Sequence, residues 1–446
     1  MSQHMNRRQV LKALSILAAL PAAGGLAACS TGTAPASAGD GGGSAGTKAL
    51  EFWTRETQDN GARQPRIIER LAAFDAERGT TITPQFLVFQ ESVQKTQAAL
   101  AAGNPPDVGQ QGPDVSLGFA SAGNLLAIDD VFAGLEDRYS ELQKDAFVVY
   151  EDKTYGVPWY LETRVLFYHK DLLEQAGVEP PTTWDEWLAV AQATTRGEDQ
   201  FGFLFGPEGP QPGQLLIPLA TAAGAPLLDA QGQISADTAG HRQALQLLKD
   251  MFDAGAIPKA FPTYKNNDVT QLFAQKKAAM YWANGEVLLA LQSIDPTLGD
   301  NIGAVLTPVP RAGDVSRSFL GGFELFAFAG TQSPDDAKAL ISYMFDAQWY
   351  GDYIKATNGA ALPVTKELAA DPFFSSDPHR KVLVEQLATA VRYGGPEFGN
   401  VPYLGEAEGK GLFSKAVLDV FTGAQTVDSA LSILDGELKV IAGQAQ

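Results

Sequence analysis

Glu162 and Arg164 stand two residues apart, so on a β-strand their side chains would share one face. Two uses are open. Arg164 can pair with Glu162 and hold it, or it can meet an anionic or heavily hydroxylated ligand; Arg55 carries the same alternatives. Glu56, Glu91, Gln111, Asp114 and Asn284 add carboxylates and amides, and Trp159, Tyr160, Trp282, Phe323 and Tyr393 add rings. That is equipment for hydrogen bonding and stacking. Bond-breaking chemistry has no comparable outfit. The four histidines, His4, His169, His241 and His379, are scattered. No H-E-x-x-H or Cys/His cluster offers a metal site, and no G-x-x-x-x-G-K-[ST] loop offers a phosphate cradle. Neither a cofactor nor a metal is expected. Paired carboxylates also serve glycosidases, where retaining enzymes hold them ~5–5.5 Å apart, but nothing in the chain resembles a hydrolase domain. Gly42-Gly43-Ser44-Ala45-Gly46 matches G-x-S-x-G in form only, because that motif needs a strand before it and a helix after it.

Cys29 is the only cysteine. It follows Leu26-Ala27-Ala28 and an Ala/Leu-rich stretch that begins behind Arg7, Arg8 and Lys12. A basic segment, a short apolar run and small residues before a cut make a signal peptide, expected over residues 1–28. Leu-Ala-Ala-Cys resembles a bacterial lipobox, which implies that Cys29 carries lipid (diacylglycerol, palmitate). Arg7-Arg8-Gln9-Val10-Leu11-Lys12 resembles a twin-arginine export signal, with Val where Phe is commoner. The apolar run is too short to span a bilayer well. Residues 29–47, rich in Gly, Ala, Ser and Thr, read as the lipidated cysteine and a flexible tether. The expected location is the outer face of the cytoplasmic membrane, of the Gram-positive type.

The rest of the chain, out of 446 residues, is long enough for two domains. Hydrophobic residues at 45% and charged residues at 19% describe a globular protein, and the formal net charge of −19 argues against nucleic acid. With no cysteine beyond Cys29 there is no internal disulfide, so a large core must supply stability. Lys48 to Thr54 alternates with period two and predicts a strand. Pro65 to Glu77 places Ile67, Ile68, Leu71, Ala72 and Phe74 at helical spacing. Thr81 to Phe89 is strand-like, Glu91 to Ala102 helical, and Asp107 starts a short third strand. This order implies parallel βαβ units. Their ligands bind beyond the carboxyl ends of the strands, here Thr54 to Asp59, Gln90 to Ser92 and Gln110 to Asp114, all polar.

Ala101-Ala102-Gly103-Asn104-Pro105-Pro106-Asp107-Val108, Tyr155-Gly156-Val157-Pro158, and Leu166-Phe167-Tyr168-His169-Lys170-Asp171-Leu172-Leu173 appear in this order. Pro180-Pro181-Thr182-Thr183-Trp184-Asp185-Glu186-Trp187 and Phe273-Ala274-Gln275-Lys276-Lys277-Ala278-Ala279-Met280 follow, then Pro308-Val309-Pro310, Gly321-Gly322-Phe323 and Thr422-Gly423-Ala424-Gln425-Thr426-Val427. Together they resemble the carbohydrate-binding, maltose-binding-protein-like branch of the extracellular solute-binding proteins of ABC transporters, over nearly all of Lys48 to Gln446. The resemblance implies an α/β, two-lobe periplasmic-binding-protein-like fold (type II) with a hinged cleft. It implies a monomer without enzymatic activity that closes on a sugar and delivers it to permease subunits in the membrane. The lobes are expected at 48–158 plus 321–360 and at 159–320 plus 361–446. Their crossings are expected near Trp159, Phe319 to Gly322 and Ala360 to Pro363.

Sugar binding needs rings for the apolar C–H face and carboxylates or amides for paired hydroxyls. By spacing from the family motifs, Asp114 and Glu162 match acidic sugar ligands of maltose-type proteins. Gln110-Gln111 stands where a stacking Trp is expected, a departure that sets a maltodextrin ligand in doubt. Trp282, Phe323 or Tyr393 could stack, as could Trp159 and Tyr160, and Trp159 at the hinge would report closure by fluorescence. Met280-Tyr281-Trp282 could equally be strand packing. Gly285 would let the backbone approach a ligand closely, and Gly322 is a further ligand-binding candidate. An anionic or polyol-like solute, or a peptide-recognising lipoprotein, are the alternatives. Thr183 with Glu186 reads as a capping box and so as structure.

Overall fold

The computed structural model describes residues 48–55, 63–139 and 147–444, apart from the side chains of Phe89 and Gln90. The expected signal peptide, Cys29, the expected tether and Glu56 lie outside the described residues.

The first sheet begins as the alternation foretold. Strand β1 (Lys48–Arg55) turns Leu50 and Phe52 inward, and β2 (Thr80–Leu87) and β3 (Val108–Gln111) pair parallel to it on either side. Helix α1 (Gln64–Arg78) buries Ile67, Leu71 and Phe74, one stripe at helical spacing. It stops at Gly79, whose left-handed backbone lets its N–H reach the Asp75 carbonyl. Helix α2 (Phe89–Ala101) starts two residues before Glu91 and takes the end expected of the second strand. The sheet is then completed from far along the chain. Its order is β2-β1-β3-β10-β5-β4, with β10 (Gly321–Ala327) antiparallel between β3 and β5 (Lys153–Glu162), and β4 (Val148–Tyr150) at the edge.

Strand β5 stays in the first sheet through Glu162, so the chain leaves that sheet at Thr163 and Arg164, not at Trp159. The next strand, β6 (Val165–His169), belongs to a second sheet of order β7-β8-β6-β9. There β7 (Phe201–Phe205) is parallel to β8 (Ala278–Ala283), and β6 is antiparallel to both β8 and β9 (Ile302–Val305). All six residues of β8 are buried, as in a strand covered on both faces. Helix Trp184–Thr194 opens with the Thr183–Glu186 capping box. Helices Leu412–Thr422 and Val427–Ile441 pack on Gln211–Ala222 and Ala239–Asp253. Each sheet thus carries its own helices, which makes two lobes. Among the described residues no helix is long and apolar enough to cross a membrane.

A candidate ligand site between the two sheets

The polar strand ends of the first sheet lock together before anything else meets them. Thr54, at the end of β1, donates to Gln110 Oε1, whose amide nitrogen donates to the Tyr160 hydroxyl at 3.4 Å. Gln111 donates to Thr96 Oγ1 at 3.4 Å from β3 to α2. Gln110 and Gln111 are buried, so where a stacking ring was expected there is a hydrogen-bonded amide ladder.

Past β3 the chain turns into α3 (Pro113–Ser121), with Asp114 buried in its first turn. Its Oδ2 lies 3.8 Å from Arg392 Nη1, while Oδ1 has no hydrogen-bond partner. Burial pushes the Asp114 carboxyl up, and the Arg392 charge opposes this. Glu324 on β10 is 1% exposed with neither carboxylate oxygen bonded. Burial drives it well above the usual carboxylate range; Arg392 pulls against this and the Asp114 charge adds to it. From the other lobe, the Tyr393 hydroxyl donates to Glu408 Oε1 at 2.7 Å and Gln214 Nε2 donates to the same oxygen at 3.0 Å. Glu408 is pushed up to about 7 by burial and by the Asp114 charge, against those two hydrogen bonds. The Tyr393 ring stacks on Phe413 at 4.4 Å and tilts against Phe319 at 5.1 Å, so it packs on protein on both sides.

A second group lies where the chain crosses. Glu162 Oε2 accepts from Asn284 Nδ2 at 2.8 Å, which joins the end of β5 to the loop after β8. Arg164 Nη2 approaches Glu162 Oε1 at 3.9 Å, which favours the pairing alternative for this arginine. Its guanidinium also lies 5.6 Å from the Trp282 ring and 5.5 Å from Phe319, with Nη1 unbonded. Arg55 sits over Phe323 at 4.3 Å and, with Arg63, pairs with Glu286 at 3.7 and 3.4 Å. Phe323 in turn tilts against Tyr160 at 5.3 Å. Gly322 has φ 138, and a Cβ there would meet the Tyr160 carbonyl oxygen at 2.5 Å, so glycine is required by the β5–β10 contact.

Several expected roles change. Trp159 is 1% exposed in a nest of Phe345, Trp349, Tyr350 and Tyr353, with its indole N–H on the Tyr353 hydroxyl; it is core of the first lobe and cannot be a stacking platform or a hinge reporter. Trp282 is also 1% exposed and donates to Thr307 at 3.0 Å, which is the strand-packing alternative. Gly285 approaches protein: a Cβ there would fall 2.0 Å from the Gly359 carbonyl oxygen of the other lobe. Glu91 is exposed on α2 and pairs with Lys95 four residues on.

The residues brought together are therefore Asp114, Tyr393, Glu162, Arg164, Asn284, Arg55 and Phe323, with Gln111 and Tyr160 behind them. Sequence reasoning missed Arg392, Glu324, Glu408, Gln214, Arg63 and Glu286. Glu324 carried a usable signal, a lone carboxyl inside the apolar run Gly321-Gly322-Phe323-Glu324-Leu325-Phe326-Ala327, since an isolated charge in a buried strand is costly. Glu408 carried none.

Two lobes, each with its own sheet, that meet across buried carboxylates, amides, arginines and rings define a two-lobe binding protein. The family model for bacterial extracellular solute-binding proteins matches residues 69–382, and the chain belongs to that family. That places it among binding proteins and apart from enzymes. The galactooligosaccharide-binding protein of Bacillus subtilis is 24% identical over 401 residues, covering 87% of this chain and 89% of its own length. Two solved structures share the fold. An ABC transporter solute-binding protein of Thermotoga lettingae bound with α-D-tagatose has TM-score 0.75 at 21% identity, covering 89% of this chain and 100% of its own. A sugar transporter protein of Arthrobacter chlorophenolicus with bound laminaribiose has TM-score 0.76 at 21% identity, covering 88% and 99%.

Proposed function

We propose that this chain captures a sugar between its lobes outside the cell and delivers it to the permease subunits of an ABC importer. The observation that carries this reading is the set of polar groups at the lobe junction. Asp114 Oδ1 and Gln214 Oε1 are buried acceptors without a donor, and Arg164 Nη1 and Arg392 Nε are buried donors without an acceptor. Leaving such groups unmade is expensive, and a polyhydroxylated ligand both donates and accepts. The named ligands of the relatives, galactooligosaccharide, tagatose and laminaribiose, support a sugar. Cys29 tethers the protein to the outer face of the membrane, with Arg7 and Arg8 directing export, and the protein acts as a monomer. Closure of one lobe on the other is what lets both sets of side chains touch one ligand.

A thermal-shift screen against a carbohydrate panel tests the class, since ligand at 100 times its Kd adds ~2.7 kcal/mol of stability. Calorimetry with the best sugar then tests the site. Asp114→Ala and Glu162→Ala each remove a charged acceptor, an expected loss of ~1.5–3 kcal/mol, or roughly ten- to a hundred-fold in affinity. If both variants fold and bind as tightly as the parent, the site lies elsewhere.

A further inference from the structure

Three consecutive residues of the second lobe, Asn284, Gly285 and Glu286, each meet a different part of the first. They form the turn between β8 and helix Glu286–Ile294. Asn284 Nδ2 donates to Glu162 Oε2, at the end of β5, at 2.8 Å. Gly285 lies against the Gly359 backbone, beyond helix Ala347–Lys355. Glu286 Oε1 faces Arg55 Nη2 at 3.7 Å, at the end of β1, and Arg63 Nη2 at 3.4 Å, just ahead of α1. The turn also braces itself, because the Glu286 backbone N–H donates to Asn284 Oδ1 at 3.3 Å.

Resting on the sugar reading above, we propose that this turn is a clasp: Glu286, Arg55 and Arg63 hold the lobes shut around the sugar without touching it, and so act as positioning residues that set its affinity. An ion pair between mobile surface side chains is worth little, because ordering two long chains offsets their attraction. Here the cations are ordered beforehand. The Arg63 side chain is 1% exposed, with its guanidinium 5.5 Å from the Tyr160 ring, and the Arg55 guanidinium sits over Phe323 at 4.3 Å. Those two rings pack on each other at 5.3 Å. The first lobe thus holds both guanidiniums on its own aromatic floor, and closure brings the Glu286 carboxylate to them from the second. Rigid forks lose less freedom on pairing than free ones.

Salt acts on the clasp and on the rest of the molecule with opposite sign. A neutral sugar has no charge to screen, and screening the self-repulsion of a chain with formal net charge −19 helps its lobes approach. Screening the pairs of Glu286 with Arg55 and Arg63 instead shifts the lobes toward the open form and lowers the affinity.

The test uses Glu286→Gln and Glu286→Lys in the full chain. The Glu286 side chain is 40% exposed, so both variants should fold and melt close to the parent. Small-angle scattering without sugar should give both a larger radius of gyration than the parent in about 20 mM NaCl, and the parent's own radius should grow in about 500 mM NaCl. Calorimetry with the tightest neutral sugar of the panel should show the parent weakening at least about three-fold between those salt concentrations. At low salt Glu286→Gln should bind about three- to ten-fold more weakly than the parent, and its affinity should hardly change with salt. Equal radii, equal affinities at low salt, or a parent affinity that holds or rises with salt overturns the clasp; binding of a sugar by the parent then leaves the sugar reading intact. A panel in which no sugar binds the parent overturns the sugar reading and the clasp together.

Discussion

Glu408 shows how a single buried carboxyl writes itself into the stability of the whole chain. It stands at about 7 in the fold, against an ordinary value of 4.5. The native state therefore binds a proton that the unfolded state has already lost between those values. Stability from this group falls as pH rises through that window, and the loss is complete above about pH 7. The penalty is on the order of 3 kcal/mol. Glu408→Gln keeps an acceptor for the Tyr393 hydroxyl and removes the charge. Its melting temperature should fall less than the parent's from about pH 5 to about pH 8. Equal slopes for the two proteins would mean that solvent or a partner neutralises Glu408 after all. At this scale the sequence was legible for Asp114 and Glu162, whose neighbours form recognisable motifs. Arg392 and Glu408 escaped because their meaning depends on Asp114, nearly three hundred residues away.

At the scale of elements, the two lobes are gauged by glycines. Gly285, ahead of helix Glu286–Ile294, nearly touches the Gly359 backbone, and Gly405, in helix Pro402–Gly409, lies where a Cβ would come within 2.9 Å of the Asp114 carbonyl oxygen and 3.0 Å of its Cβ. These contacts sit at separate places on the junction, and neither side has a flexible side chain to give way. Gly285→Ala must part the backbones, because its Cβ would fall 2.0 Å from an oxygen. We expect this variant to show a larger radius of gyration by small-angle scattering and sugar affinity at least about ten-fold weaker, with little change in melting temperature. Gly405→Ala should do the same more weakly. An unchanged radius for Gly285→Ala would remove this contact from the closure mechanism. The helices, their caps and the first strands were readable from periodicity, because those signals are local. The glycine contacts were not, because a glycine between two lobes looks in sequence like a glycine at any turn.

For the whole molecule, the proposed anchor decides where it stands relative to the membrane. Cys29 precedes the described body by a Gly/Ser/Ala-rich stretch and is the only thiol in the chain. Cys29→Ser is expected to leave uncleaved precursor or to release protein into the medium, as judged by fractionation and by labelling with a radioactive fatty acid. A variant that still sediments with membranes as a processed, lipid-labelled protein would refute the anchor. The two-lobe architecture was legible because the motifs run in family order over the chain; the lobe boundary was misplaced because β5 continues to Glu162, three residues past the point where Trp159 suggested a hinge.

Strand β10 also sets a birth order for the molecule. It lies between β3 and β5, yet it is made after the whole second sheet. The first sheet is thus begun first and closed only after the second sheet has been made: until Ala327 has emerged from the ribosome, β3 and β5 have no partner between them and two inner edges stand open. A chain arrested after Leu320 should yield a protease-sensitive first lobe, and one arrested well beyond Ala327 a resistant one. Intermediates of the first kind are natural clients for a holding chaperone. If Arg7 and Arg8 commit the protein to a translocase that accepts only folded cargo, quality control at that gate amounts to asking whether this one late strand has been threaded home.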